Sequence, residues 1–185
     1  MIRAILTGAA AIAALIGLSA CGLVLVDQPD PGGIPAGQPQ AMPGAPEPIG
    51  PVVEIGSGRS LGFGWRYTVY RSTDGVCSQL ELANGGGSGC GALPAAGQVF
   101  GMIGSGSSSD GPTTVEGMVA ADVASVEVRL VGGGEVEVAL MSLEPAGLDG
   151  KAFIAIAPAG TEVEAIAALD NDGELIETFE FAGGP

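Results

Sequence analysis

The chain contains no histidine. Serine and cysteine nucleophiles of the Ser-His-Asp and Cys-His type need an imidazole to take their proton near neutral pH. Histidine-ligated metal centres are excluded on the same ground. The remaining candidates are weak. Gly58-Arg59-Ser60-Leu61-Gly62 fits the Gly-x-Ser-x-Gly pattern of hydrolase elbows, but that chemistry needs a strand-turn-helix and a base to activate the serine. The one lysine, Lys151, is far away in sequence, and nothing brings it to Ser60. Gly87-Ser88-Gly89-Cys90-Gly91-Ala92 fits a dinucleotide loop loosely and lacks the following helix that would receive a phosphate. Asp170, Asp172 and Glu174 could gather on Ca²⁺, yet their spacing is not that of a calcium loop, and Asn171-Asp172-Gly173 as a hairpin turn accounts for them. No catalytic residue, metal ligand or cofactor is expected.

Recognition is better served than catalysis. Arg59, Arg66 and Arg71 lie close in sequence to Trp65, Tyr67 and Tyr70, the only tryptophan and tyrosines of the chain. Aromatic and arginine side chains supply much of the energy at interfaces, through contact area and cation–π attraction. On a strand, Trp65, Tyr67 and Val69 would share one face, and Arg66, Thr68 and Tyr70 the other. Two readings are open: a binding surface built from these six residues, or Trp65 and Tyr67 in a core with the arginines paired to the chain's own carboxylates.

The amino terminus sets the compartment. Arg3 precedes an apolar run from Ala4 to Ile16 and then small residues, the layout of a secretory signal over residues 1–20. Leu18-Ser19-Ala20-Cys21 resembles the bacterial lipobox. That resemblance implies cleavage before Cys21, acylation of its sulfur, and a palmitate-type anchor in the cell membrane with the rest of the chain on the extracytoplasmic face. Two acyl chains give stable anchoring, at about 0.8 kcal/mol per buried methylene, where one gives only marginal binding. The alternative is an uncleaved membrane helix, because no residue from Ala4 to Val26 is charged. With Cys21 assigned to lipid, Cys77 and Cys90 remain as a pair in an oxidising compartment, and a disulfide is the expected state.

Six basic residues face twenty-one acidic ones, a net charge of −15. Without the signal and its Arg3 the balance is five against twenty-one, or −16. Such acidity argues against nucleic acid and anionic headgroups as partners.

From Asp27 to Pro51, thirteen of twenty-five residues are proline or glycine. A run of that kind reads as an extended, disordered spacer, with a contour on the order of 80 Å. Residues 21–51 are therefore expected to be tether and 52–185 the folded domain.

Within that domain the dominant period is two. Val126-Glu127-Val128-Arg129-Leu130, a glycine triplet, and Glu135-Val136-Glu137-Val138 predict a hairpin with its valines and leucines toward a core. Phe63–Arg71 and Val76–Leu82 predict a second hairpin about Ser72-Thr73-Asp74-Gly75, followed by an 84–89 glycine loop that carries Cys90 back to Cys77. Strands are also expected at 98–103, 113–120 and 152–157, with 104–111 an exposed loop. Thr161-Glu162-Val163-Glu164 could open a helix, but the alternation that follows favours a strand, turned at Asn171-Asp172-Gly173 into a last one at 175–181.

Together these give an all-β chain: an antiparallel β-sandwich of about eight to ten short strands with one disulfide. The pattern resembles small extracytoplasmic modules of high-GC Gram-positive bacteria, a likeness that carries no functional residues across. The expected role is a secreted, membrane-anchored, non-enzymatic module binding an envelope protein or glycan. The alternatives are a structural component of the cell envelope or a carboxylate-based hydrolase.

Overall fold

The computed structural model describes residues 38–83, 85–107, 111–134 and 136–181. The expected signal segment, the Leu18-Ser19-Ala20-Cys21 motif and the first part of the expected spacer lie outside these residues. Eleven strands occur among the described residues: β1 (Val53–Ser60), β2 (Phe63–Ser72), β3 (Gly75–Leu82), β4 (Gly85–Gly91), β5 (Phe100–Ser107), β6 (Thr113–Val119), β7 (Ser125–Leu130), β8 (Val138–Ser142), β9 (Lys151–Ala157), β10 (Val163–Leu169) and β11 (Leu175–Glu180). A single 3₁₀ turn, Glu144–Ala146, joins β8 to β9. All pairings are antiparallel. Sheet A has the order β1-β2-β3-β4, sheet B β5-β6-β9-β8, and sheet C β11-β10-β7.

Sheet B is the middle layer, and its side chains divide by alternation. Met118, Ala152, Ile154 and Ile156 join Trp65, Tyr67, Val69, Val76 and Leu80 of sheet A in one core. Val115, Val119, Phe153 and Ala155 join Val126, Val128, Ile166 and Ala168 of sheet C in the other. A strand buried on both faces cannot show a polar alternation, which explains why β9 reads Ala-Phe-Ile-Ala-Ile-Ala after Lys151.

The β2–β3 hairpin forms in the expected register, Tyr70 opposite Cys77 and Ser72 opposite Gly75. Val163–Leu169 is a strand and not a helix, as its alternation favours. The hairpin expected at 126–138 does not form. β7 pairs with β10 and β8 with β9, in different sheets. Gly132, Gly133 and Gly134 all have positive φ, of 85°, 86° and 126°, and they turn the chain out of sheet C instead of reversing it within one ladder. The facing was right where the pairing was not: Val126 and Val128, with Leu130, Val136, Val138 and Leu140 against them, enter one core.

The glycine-rich segment expected as a loop at 84–89 is largely the edge strand β4, paired along its length with β3. Cys77 and Cys90 stand directly opposite one another, Cα atoms 4.0 Å apart, joined by the expected disulfide. Glycine is a poor strand former, but it lets a neighbouring element approach closely. A Cβ on Gly91 would lie 3.0 Å from Cβ of Met102 on β5, so bare backbone is what allows sheets A and B to meet here. β5 also runs on to Ser107, through the first part of the expected 104–111 loop.

Candidate interaction surfaces

β1 was not foreseen, and it explains the Gly-x-Ser-x-Gly match. Leu61 and Gly62 have φ of 51° and 81°, the paired positive angles of a two-residue hairpin turn between β1 and β2. A Cβ on Gly58 would sit 2.9 Å from Cζ2 of Trp65, so that glycine exists to let the indole lie on β1. Ser60 belongs to a hairpin, not to a strand-turn-helix elbow.

The aromatic and arginine cluster is distributed over both faces of β2. Trp65 and Tyr67 belong to the core between sheets A and B, 9% and 0% exposed. Tyr70, on the opposite face, is 2% exposed. Arg66 is paired with Glu81 across the β2–β3 ladder, its Nε donating to Oε2 at 3.0 Å. The Arg71 guanidinium donates to the Gly147 carbonyl at 3.3 Å, at the end of the 3₁₀ turn. Arg59 lies exposed on β1. The three aromatics are thus interior, and of the six residues only Arg59 and Arg71 are exposed. An accessible patch of all six does not form: Trp65 and Tyr67 take the core positions of the second reading, Arg66 pairs with a carboxylate, and a covering segment encloses Tyr70.

That covering segment is the distal part of the expected spacer. Gln79 on β3 is fully buried; its Nε2 donates to the Gln40 carbonyl at 2.9 Å and to Thr68 Oγ1 at 3.2 Å, and its Oε1 accepts from the Met42 amide. Met42 to Ala45 closes a turn, Ala45 N donating to Met42 O at 3.0 Å, with Pro43 and Gly44 (φ 86°) in the middle positions. Proline followed by a glycine of positive φ is the signature of a type II turn. Ile49 N then donates to Arg71 O at 2.7 Å. Residues 38–49 are therefore not free tether: they lie along the outer face of sheet A, where Thr68, Tyr70, Cys77 and Gln79 are all buried. Sequence reading missed them because proline and glycine content was taken as disorder, although Pro43-Gly44 is turn chemistry.

The interface of sheets A and B holds a polar cluster that no motif announced. Glu116 on β6 faces Tyr67 on β2 and Ser78 on β3. Glu116 Oε2, Tyr67 Oη and Ser78 Oγ are all buried without a partner at bonding geometry. Burial pushes the Glu116 carboxyl up to about 7, against an opposing pull from the Tyr67 and Ser78 hydroxyls. Burial, with the Glu116 charge beside it, raises the Tyr67 phenol well above its ordinary value.

Sheet C ends in an open edge. β11 pairs only with β10 among the described strands, and it exposes Leu175, Ile176 and Phe179 at 57%, 39% and 38%. Phe179 stands edge-on to Phe100 of β5 at 6.3 Å and to Phe181 at 5.3 Å, so one side of its ring meets the neighbouring edge strand of sheet B. Beside Ile176 a cleft of about 570 Å³ is lined by Pro94, Val99, Ala120, Asp122 and Asp149. The edge strand itself carries Glu177 and Glu180. The Asn171-Asp172-Gly173 turn leads into this strand as expected: Asp170 Oδ1 accepts from the amides of Asp172 (2.9 Å) and Glu174 (2.8 Å), and Gly173 takes the positive φ of 77°.

Among the described residues no helix is long and apolar enough to cross a membrane. No protein-family model matches the chain, and no curated protein or solved structure is significantly similar to it.

Proposed function

We propose that the chain is a lipid-anchored extracytoplasmic binding module, held to the cell membrane through Cys21, that receives an extended segment of an envelope protein along β11. The observation that carries the binding surface is the open β11 edge with three large apolar side chains in solvent. An edge strand offers unpaired backbone groups for strand addition, and alternate side chains supply the selectivity. Glu177 and Glu180 on that strand, in a chain of net charge −15, favour a segment in which apolar residues alternate with lysine or arginine. The Cys77–Cys90 disulfide supports the oxidising compartment.

Affinity capture from native membranes, with the wild-type chain and with an Ile176→Asp/Phe179→Asp variant, tests this reading. A partner recovered by the first and lost from the second, at unchanged thermal unfolding, is the expected result. Equal recovery by both would refute β11 as the site. The anchor is tested separately by the intact mass of membrane-extracted protein, which should correspond to an acylated chain beginning at Cys21; an unmodified chain from Met1 would overturn it.

A further inference from the structure

The outer face of sheet A, distinct from the β11 edge, is covered by a segment of the chain's own tether. We infer that this face is a receiving site for extended, proline-containing peptide, which residues 38–49 occupy in cis.

Three features distinguish a receiving site from ordinary packing. First, the contact is read through backbone groups. The buried Gln79 amide donates to the Gln40 carbonyl and accepts from the Met42 amide, so it grips the main chain on either side of Ala41. Its second donor contact, to Thr68 Oγ1 at 3.2 Å, comes from within sheet A and holds the amide independently of the segment. Second, the seat has room for its occupant. A Cβ on Gly86 would collide with the Leu80 carbonyl oxygen and fall 2.9 Å from Met42 Cε, so the bare backbone that the β3–β4 ladder requires also leaves space for the methionine methyl. Third, the occupant is preorganised by its own sequence. The Pro43-Gly44 turn is closed by the bond from Ala45 N to Met42 O, which lowers the ordering cost of docking. A second anchor, Ile49 N to Arg71 O, lies at the far end. Prolines suit this arrangement because they bring no N–H that the face would have to satisfy.

The ligand class follows from these contacts. It is an extended stretch offering a carbonyl, then an amide two residues on, borne by a slender apolar side chain and followed by Pro-Gly. Such a segment from another protein would compete with residues 38–49 and release them into the tether.

The test cuts the covalent link after folding. A specific protease site is placed between Gly50 and Pro51, both exposed, in the otherwise complete chain, and the protein is cleaved in the native state. The expected result is that the severed segment stays bound and exchanges with a labelled synthetic peptide of residues 38–50. Its binding should be saturable in the micromolar range, and Gln79→Ala should weaken it at least tenfold while the near-ultraviolet circular dichroism of the domain is unchanged. Release on cleavage with no rebinding of the peptide would overturn the inference. So would unfolding on cleavage, which would make the segment part of the core, and so would peptide binding that Gln79→Ala leaves unaltered. Should Gln79→Ala itself fail to fold, Met42→Pro in the peptide removes the same amide donor, and an undiminished affinity would equally refute the site.

Discussion

The outer face of sheet A and the free edge of sheet C make opposite use of their residues. Sheet A carries both tyrosines and the tryptophan, the types most associated with recognition, and buries all three. Sheet C ends in a strand of ordinary composition and leaves Leu175, Ile176 and Phe179 in water. Residue type thus points to one surface and exposure to the other. Placement decides, because an aromatic group contributes at an interface only if a partner can reach it.

The contrast can be sharpened first through the disulfide. Replacing Cys77 and Cys90 by serine should cost about 3 kcal/mol, by releasing a cross-link over a loop of this length. The loss should fall on β4 and the segment that lies over sheet A. Amide exchange resolved along the chain would show β3 and β4 opening early while β10 and β11 keep their protection; uniform loss would mean that the two ends are one cooperative unit.

Glu116 provides the next largest effect. Its carboxyl titrates near 7 in the fold against an ordinary value of 4.5, so the fold favours the protonated acid. The stability it contributes is complete below about pH 4.5 and is lost as pH rises through about 7. With allowance for its partial exposure, the difference is on the order of 2 kcal/mol. The groups that face it are Tyr67 from β2 and Ser78 from β3, and neither titrates in this range. Chemical denaturation at pH 5 and pH 8 should show the loss, and Glu116→Gln should remove most of the pH dependence. A slope unchanged in that variant would assign the effect elsewhere. Because the cluster joins sheets A and B, the weakening should spare the core between B and C.

Smaller still is the β1–β2 turn. Leu61 holds a φ of 51°, a left-handed conformation that costs a side-chain-bearing residue roughly 1 kcal/mol. Leu61→Gly should therefore be stabilising or neutral, read as a rise in thermal midpoint, despite the loss of an apolar side chain, which is 55% exposed.

The smallest stability effect belongs to the surface with the largest proposed role. Phe179→Ser should change stability by less than about 1 kcal/mol, since the ring is 38% exposed on an edge strand, while reducing partner capture severalfold. A large loss of stability would instead make Phe179 a structural bridge between the edges of sheets B and C, through Phe100.

Much of the architecture was readable from alternation and turn chemistry. The Ser72–Gly75 and Asn171–Gly173 turns, the final two strands and the disulfide follow directly from local signals. Pairing across the glycine triplet did not, because alternation reports which side of a strand is buried and not which strand lies beside it. The β4 strand was hidden for the opposite reason: its glycines give no local preference, and its place is set by Cys77, β3 and the approach of Met102. Glu116 was invisible because both faces of β6 are enclosed, so one carboxylate among Thr, Val and Met breaks no pattern. The six residues expected as a binding surface are of the types that interfaces use, but three of them are interior. Tyr70 and Arg66 border the face that residues 38–49 cover; the apolar edge at β11 drew no attention because its Phe179 and Phe181 read as ordinary alternation of a strand, with no arginine beside them.

The most direct measurement of the central claim compares the two surfaces in the same cells. A photoactivatable cross-linking residue is placed at Ile176, on the open edge, and separately at Asp74, in the exposed turn of sheet A. The account predicts a discrete adduct with an envelope protein from position 176, mapping to a short segment of apolar and basic residues, and no adduct with that same protein from position 74. Adducts with the same protein in equal yield from both positions, or from position 74 alone, would contradict it.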